Sequence, residues 1–346
     1  MFSQLKNKLD NELAGFLRDI NKHYHLRDIS PLLFDSIKEY ASRDGKRIRP
    51  ILFVTGYLGF APRPVPGLYR SALAIEILHD FLLIHDDIID KSKLRRGKPA
   101  MHTMLNTHLK KYPNVKFSGE DLAIVVGDVM YAMAIESFLA IKENPTRKES
   151  ALRKFVEAAF YTGCGEFVET LYGAGDISRI KLGDIYNIYD YKTAYYTFSC
   201  PLTTGAILAG ASKNETEKLF RFGICLGRAF QIKDDILGLF ADEKKTGKSA
   251  LSDLQEAKKT LILWHVYQNL RAGDKTTANR ILAKNNITFS DLKTMRELAI
   301  KTGSLDYAKK QIARLLTEAL ELIGSSRIKQ SRKTMLVNYA KDLLKI

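Results

Sequence analysis

Apolar residues recur at helical spacing along almost the whole chain, and strand-like alternation is scarce. The periodicity predicts helices over 66–90, 119–140, 147–172, 181–191, 193–211, 215–240, 250–269, 275–284, 289–301, 304–323 and 330–345. Pro201 is expected to kink the fifth of these, because it lacks an N–H and crowds the preceding turn. Turns are expected at Gly45, Pro62–Pro66, Lys111–Pro113, Asn144–Pro145, Gly175, Asn214, Gly247 and Gly273. A parallel α/β fold would need short Val/Ile strands at a regular interval, and none repeat. The pattern therefore predicts an all-α chain, a bundle of long helices. It is read as one domain over 1–346, with 1–29 a peripheral N-terminal helix and 326–346 a C-terminal one.

Two of these apolar runs carry aspartates that a simple core helix would not tolerate. One reads LLIHDDIIDKSKLRRG and holds Asp86, Asp87 and Asp90; the other reads FQIKDDILGLFADEKKTGK and holds Asp234 and Asp235. A carboxylate in apolar surroundings is costly unless a cation meets it. Asp86 and Asp90 are four apart and share one helix face, with Asp87 about 100° around the axis. All-oxygen donors without cysteine suit magnesium better than zinc, and His85 reads as a packing residue. Arg95 and Arg96 follow within two turns, and guanidinium forks match phosphate oxygens. Acid cluster and arginines together point to a diphosphate held by metal on one side and arginine on the other.

Upstream, Gly45-Lys46-Arg47-Ile48-Arg49-Pro50 places three cations around a glycine turn, a second candidate anion pocket with Lys46 and Arg49. The formal net charge of +15 is compatible with nucleic acid or an anionic membrane as well as with small anions. No zinc finger, RNA-binding aromatic signature or recognition helix accompanies it, so no nucleic-acid partner is expected. Cys164, Cys200 and Cys225 form no metal-ligand spacing and are expected to be inert core residues. The N-terminal MFSQLKNKLDNELAGFL reads as an amphipathic helix rather than a signal peptide. The apolar runs are interrupted by Asp, His or Arg before the roughly 20 residues of a membrane span. A cytoplasmic protein is expected, with at most loose membrane association.

These segments resemble, in order, the landmarks of the trans-isoprenyl diphosphate synthases, the polyprenyl synthetase family: GKRIRP, LHDFLLIHDD, HDDIIDKSKLRRGKPA, YKTAYY, QIKDDILG and EKKTGK. The likeness spans about residues 30–325 and is nearest to archaeal-type geranylgeranyl diphosphate synthases. It implies the isoprenoid synthase fold, mostly antiparallel helices around a central cavity, and a homodimer. It implies condensation of isopentenyl diphosphate with dimethylallyl, geranyl or farnesyl diphosphate, with about three Mg²⁺ ions when substrate is bound. By motif, Asp86, Asp87, Asp90, Asp234 and Asp235 are the metal ligands. Arg95, Lys192, Lys233 and Lys248 would contact the allylic diphosphate, and Lys46, Arg49, His79 and Arg96 isopentenyl diphosphate. Thr193 and Gln231 would sit near the developing cation, and Phe230 near the homoallylic substrate. The two acidic helices are expected to face each other across an apolar pocket.

Two positions depart from the family pattern. A third aspartate often closes the second motif, where this chain has Gly238; Asp242 is a candidate substitute. Glu166 and Glu169 stand where Gln and Asp are common. Phe81, five residues before Asp86 and roughly 7.5 Å along the helix, with Leu82 beside it, is the candidate floor for product length. Archaeal-type geranylgeranyl synthases are similar in having an aromatic followed by a smaller residue here, so the resemblance implies a C20 product. Farnesyl (C15) and geranylfarnesyl (C25) synthases are the alternatives, together with a non-catalytic subunit of a heteromeric synthase. Helices 119–140 and 155–170 would also line such a cavity, and the sequence does not place Met133, Phe138 and Phe160 relative to it.

Overall fold

The computed structural model describes residues 2–240, 252–256, 258–284 and 286–345. They are helical throughout, apart from one two-stranded hairpin, and divide into two compact units, Met1–Phe155 with Pro201–Ala211, and Val156–Cys200 with Ser212–Ile346.

In the first unit, α1 (Phe2–Tyr24) buries Leu5, Leu9, Leu13, Phe16, Leu17 and Ile20, a one-face stripe at helical spacing. The single turn α2 (Leu26–Ile29) leads to α3 (Pro31–Ala41), whose start is capped by the Ser30 hydroxyl accepting from the Leu33 N–H, with Pro31 in the first turn. Next come α4 (Ile48–Phe60) and α5 (Leu68–Ile89). Gly67 opens α5 at φ 81°, and a Cβ there would lie 2.1 Å from the Ala140 carbonyl, so only glycine fits. After α5, β1 (Leu94–Arg95) and β2 (Lys98–Pro99) pair antiparallel. Their two-residue loop is Arg96-Gly97, both at positive φ (55° and 73°), which is the backbone a tight hairpin demands. Helices α6 (Met101–Leu109) and α7 (Gly119–Leu139) follow, α7 beginning at a reciprocal Ser118–Asp121 capping box. The core of this unit is α5 packed on α7, α4 and α1.

Helix α7 corrects one sequence expectation. It runs 21 residues with a mean hydropathy of 1.8 over its 18-residue window, so it is long and apolar enough to cross a membrane. In the unit it serves as a core helix: Ala123, Met130, Ala134 and Phe138 are fully buried, and it lies along α5.

The chain continues through α8 (Pro145–Gly173) and α9 (Leu182–Ile188) into a π-helical segment, Tyr189–Ser199, and α10 (Cys200–Leu208). The break expected at residue 192 is therefore absent. The backbone widens into a π-helix instead, with the Cys200 N–H reaching the Tyr195 carbonyl, and Pro201 lies in the first turn of α10. In the second unit, α11 (Lys213–Phe240) packs on this segment at two glycines. A Cβ on Gly227 would lie 2.3 Å from Ala194 Cα, and one on Gly223 would lie 2.5 Å from Ser199 Cα.

The remaining helices are α12 (Ser252–Gln255), α13 (Leu261–Asn269), α14 (Ala272–Leu282), α15 (Phe289–Lys301), α16 (Ser304–Ser325) and α17 (Gln330–Leu343). The single helix expected over 250–269 does not form: Thr260 starts α13 as an N-cap, its hydroxyl accepting from the Leu263 N–H. The second core is α11 between the π-helical segment and α16.

Candidate active site

The last turn of α5 sorts its aspartates into two environments. Asp86 and Asp90 share the half-buried face, with carboxylate oxygens within 4.8 Å of each other. Asp87 turns inward and is fully buried. Arg95 grips one Asp87 oxygen through Nε at 2.8 Å and through Nη2, and the same Nη2 reaches Asp86 at 3.1 Å. The Tyr40 hydroxyl donates to the other Asp87 oxygen at 3.4 Å. Burial raises the Asp87 proton affinity, and Arg95 pulls it back. The β1–β2 hairpin delivers Arg95 here by folding the chain back after Asp90.

The basic loop at 45–49 is sorted in the same way. Arg47, at φ 51° and 4% exposed, is a structural residue. It donates to Asp10 (2.8 Å), to Glu76 (2.9 Å) and to the carbonyls of Ala41 and Arg43. Lys46 is exposed and Arg49 half-buried. Arg96, at the hairpin tip, comes so near Gly45 that a Cβ there would meet its guanidinium at 3.2 Å. The GKRIRP and RRG segments are therefore neighbours. His79, buried on α5, is kept neutral by desolvation first and then by the surrounding charges of Arg49, Arg96, Arg95 and Arg47.

In the second unit the π-helical segment presents Lys192 and Thr193. The Lys192 ammonium lies between Glu166, at 2.6 Å, and Glu169, at 2.5 Å. The two glutamates that depart from the family pattern thus clasp the lysine, with one net negative charge among the three groups. The Thr193 hydroxyl donates to Gln231 at 2.8 Å, and Gln231 donates to Asp235 at 3.1 Å. Asp235 is buried and also receives the Tyr189 hydroxyl, whose oxygen accepts the Leu261 N–H at 2.7 Å. Asp234, one residue earlier, is half-buried. Lys233 donates to the carbonyls of Leu343, at 2.8 Å, and Lys345. Phe230 packs edge-on against Phe198 at 5.7 Å. Lys248 and Asp242 lie outside the described residues.

On the α5–α7 seam, Phe81 packs against Tyr131 at 5.2 Å and His85 at 4.7 Å. Gly127 makes room for the His85 ring, since a Cβ there would lie 2.4 Å from Nε2. Leu82 is half-buried. Of the residues the sequence left unplaced, Met133 is buried and Phe138 belongs to the core with Phe53 and Phe155. Phe160 is 65% exposed. Cys200 and Cys225 are buried as expected, whereas Cys164 is exposed. Sequence reasoning missed Tyr40, Tyr131 and Tyr189, for which spacing gave no signal: each acts on a residue 46 or more positions away.

Hard carboxylate oxygens at Asp86 and Asp90, half-buried and within 4.8 Å of each other, would hold a Mg²⁺ ion, which would neutralise charge on a phosphorylated ligand. With Arg95 beside Asp86, this cluster of the first unit can bind a phosphorylated ligand.

The polyprenyl synthetase family model matches residues 30–299. The chain is 33% identical to geranylgeranyl diphosphate synthase of Sulfolobus acidocaldarius, over 86% of this chain and 85% of that one. It is 30% identical to geranylfarnesyl diphosphate synthase of Aeropyrum pernix, over 87% and 89%. Among solved structures, geranylgeranyl pyrophosphate synthetase from Pyrococcus horikoshii superposes with a TM-score of 0.84 at 27% identity, covering 100% of this chain and 98% of that one.

Proposed function

The chain belongs to the polyprenyl synthetase family, and from that premise we propose that it makes geranylgeranyl diphosphate, the C20 product, by successive additions of isopentenyl diphosphate to an allylic diphosphate. The activity is Mg²⁺-dependent trans-prenyl transfer. The observation that supports C20 is Phe81, packed on Tyr131 at 5.2 Å five residues before Asp86, with the smaller Leu82 next to it.

In this reading Asp86, Asp87 and Asp90 of the first motif and Asp234 and Asp235 of the second would hold Mg²⁺, with three ions expected when substrate is bound. The bound metal supplies charge neutralisation for the diphosphate leaving group. Arg95, Lys192, Lys233 and Lys248 add positive charge to the same oxygens, so the allylic C–O bond breaks with its electron pair going to diphosphate. Lys46, Arg49, neutral His79 and Arg96 hold isopentenyl diphosphate, whose double bond attacks the allylic carbon. The proton lost from the adduct goes to the released diphosphate, so no side-chain base is needed. Thr193 and Gln231, already joined at 2.8 Å, present oxygen dipoles to the cation, and Phe230 packs beside the homoallylic chain. Apolar walls keep water from the carbocation.

A homodimer is part of the proposal. Val156, Phe160, Phe167 and Leu171 are exposed along one helix, α8, and an exposed apolar stripe of this kind suits a second copy. Light scattering on the purified protein tests it, a monomer mass counting against it.

Incubation with Mg²⁺, isopentenyl diphosphate and each of dimethylallyl, geranyl and farnesyl diphosphate, followed by product sizing, tests the function. C20 from all three starters supports the proposal. C15 or C25 as the end product replaces it with the farnesyl or geranylfarnesyl alternative. No product from any starter favours a non-catalytic subunit.

A further inference from the structure

One buried acid near the anion loop has no part in the chemistry above. Asp80, on α5 beside His79, is 1% exposed, and neither of its carboxylate oxygens has a hydrogen-bond partner among the described residues. One turn earlier, Glu76 is 2% exposed; one of its oxygens takes the Arg47 guanidinium at 2.9 Å and the other is unpartnered. The Arg47 charge is thus already matched, by Glu76 and by Asp10 at 2.8 Å. A second carboxylate at Asp80 would be a buried charge without a hydrogen bond, next to a like charge. Proteins resolve that situation by protonation.

We propose that Asp80 is carried as the neutral acid and is a positioning residue for the anion site: uncharged, it does not draw the guanidinium charge of Arg49 and Arg96 away from an incoming diphosphate. The inference rests on the reading of Lys46, Arg49, His79 and Arg96 as a diphosphate site.

The groups that face Asp80 come from four elements. Glu76 and His79 lie on its own helix, Arg47 and Arg49 at the start of α4, Arg96 at the hairpin tip, and Tyr40 on α3. Burial, followed by the Glu76 charge, raises the Asp80 proton affinity, and the pull of the three arginines works against both. The charge balance has a functional sense. A carboxylate here would compete with the ligand for the arginines, whereas a carboxylic acid fills the same volume without competing.

The test uses the full chain, inorganic diphosphate as the probe, and Asp80→Asn, which keeps shape and neutrality. Asp80→Thr is the second variant should the first not fold. Infrared difference spectra of the free protein at neutral pH should show a protonated-carboxyl band that the variant lacks. The variant should bind diphosphate within about threefold of the parent. Absence of that band, or binding about tenfold tighter in the variant, would mean that Asp80 is ionised and would overturn the proposal. Arg49→Ala is the separate check on the site: unchanged diphosphate affinity there would remove the reading of the anion pocket, while the infrared result still decides the state of Asp80.

Discussion

Arg95 holds Asp87 through two guanidinium nitrogens, Nε at 2.8 Å and Nη2, so the middle aspartate of the first acidic motif is matched by a cation from its own chain. The hairpin that follows α5 exists to bring that arginine back: with Arg96 and Gly97 both at positive φ, the chain reverses in two residues.

Arg95→Leu therefore strands a fully buried carboxylate and is expected to cost about 3–5 kcal/mol at neutral pH. Burial already raises the Asp87 proton affinity, and loss of Arg95 raises it further. A carboxyl with a raised folded-state pKa penalises folding in full above that pKa, and the penalty fades as pH falls to the unfolded value. The stability gap between parent and variant should thus narrow as pH falls. Thermal unfolding across a pH series checks this; a constant gap would show that Asp87 is not the group left unmatched.

Lys192 is clasped by Glu166 and Glu169 at 2.6 and 2.5 Å, and these carboxylates compete with any diphosphate for its ammonium. Glu169→Gln removes one competitor. The KM for the allylic diphosphate is expected to fall about threefold. Steady-state kinetics with a fixed saturating level of isopentenyl diphosphate measure it, and an unaltered KM would place Lys192 away from that substrate.

Gly227 admits the π-helical segment to within contact of α11, since a Cβ there would lie 2.3 Å from Ala194 Cα. Gly227→Ala must push Ala194 and its neighbours Lys192 and Thr193 aside, at an expected cost of about 1–3 kcal/mol. Activity should drop together with the melting temperature. Parent-like values for both would mean the helices part without consequence.

Phe81→Ala empties the ring that packs on Tyr131 and His85. The longest product should extend by at least one isoprene unit. Chromatographic sizing decides, and an unchanged length would transfer the floor to another residue such as Tyr131.

Asp291 closes the capping box with Thr288 at the start of α15, and Lys284 reaches it at 2.6 Å. The Lys284 hydrogen bond first, then those from Thr288, hold its carboxyl down to about 2. A depressed carboxyl stabilises the fold above its unfolded value of about 4 and loses that contribution as pH falls through the folded value. Asp291→Asn should be less stable than the parent at neutral pH, and the difference should close as pH falls through about 2. Acid titration of the two proteins, followed by circular dichroism, checks the convergence.

Much of the fold was legible because its cause is local. Helical spacing of Leu, Ile and Ala marks α1, α5, α7, α11 and α16 to within a few residues. The periodicity marked no helix for α3, α4 or α6, and it misjudged the junctions where helices meet end to end. The π-helical segment Tyr189–Ser199 packs against Gly223 and Gly227 of α11, far along the chain, and the restart at Thr260 is marked by a single capping hydroxyl.

The sequence by itself determined the helical class, the order of the motifs and the chemical kind of the site: hard oxygen donors with arginine and lysine for phosphate oxygens. Tertiary structure alone decided which charges in those motifs are already matched. Arg47 is spent on Asp10 and Glu76, Asp87 on Arg95 and Tyr40, Asp235 on Gln231 and Tyr189, and Lys192 on two glutamates. The reason is physical: a side chain's type fixes the charge it can carry, but whether that charge is buried and which partner meets it are set by residues distant in the chain.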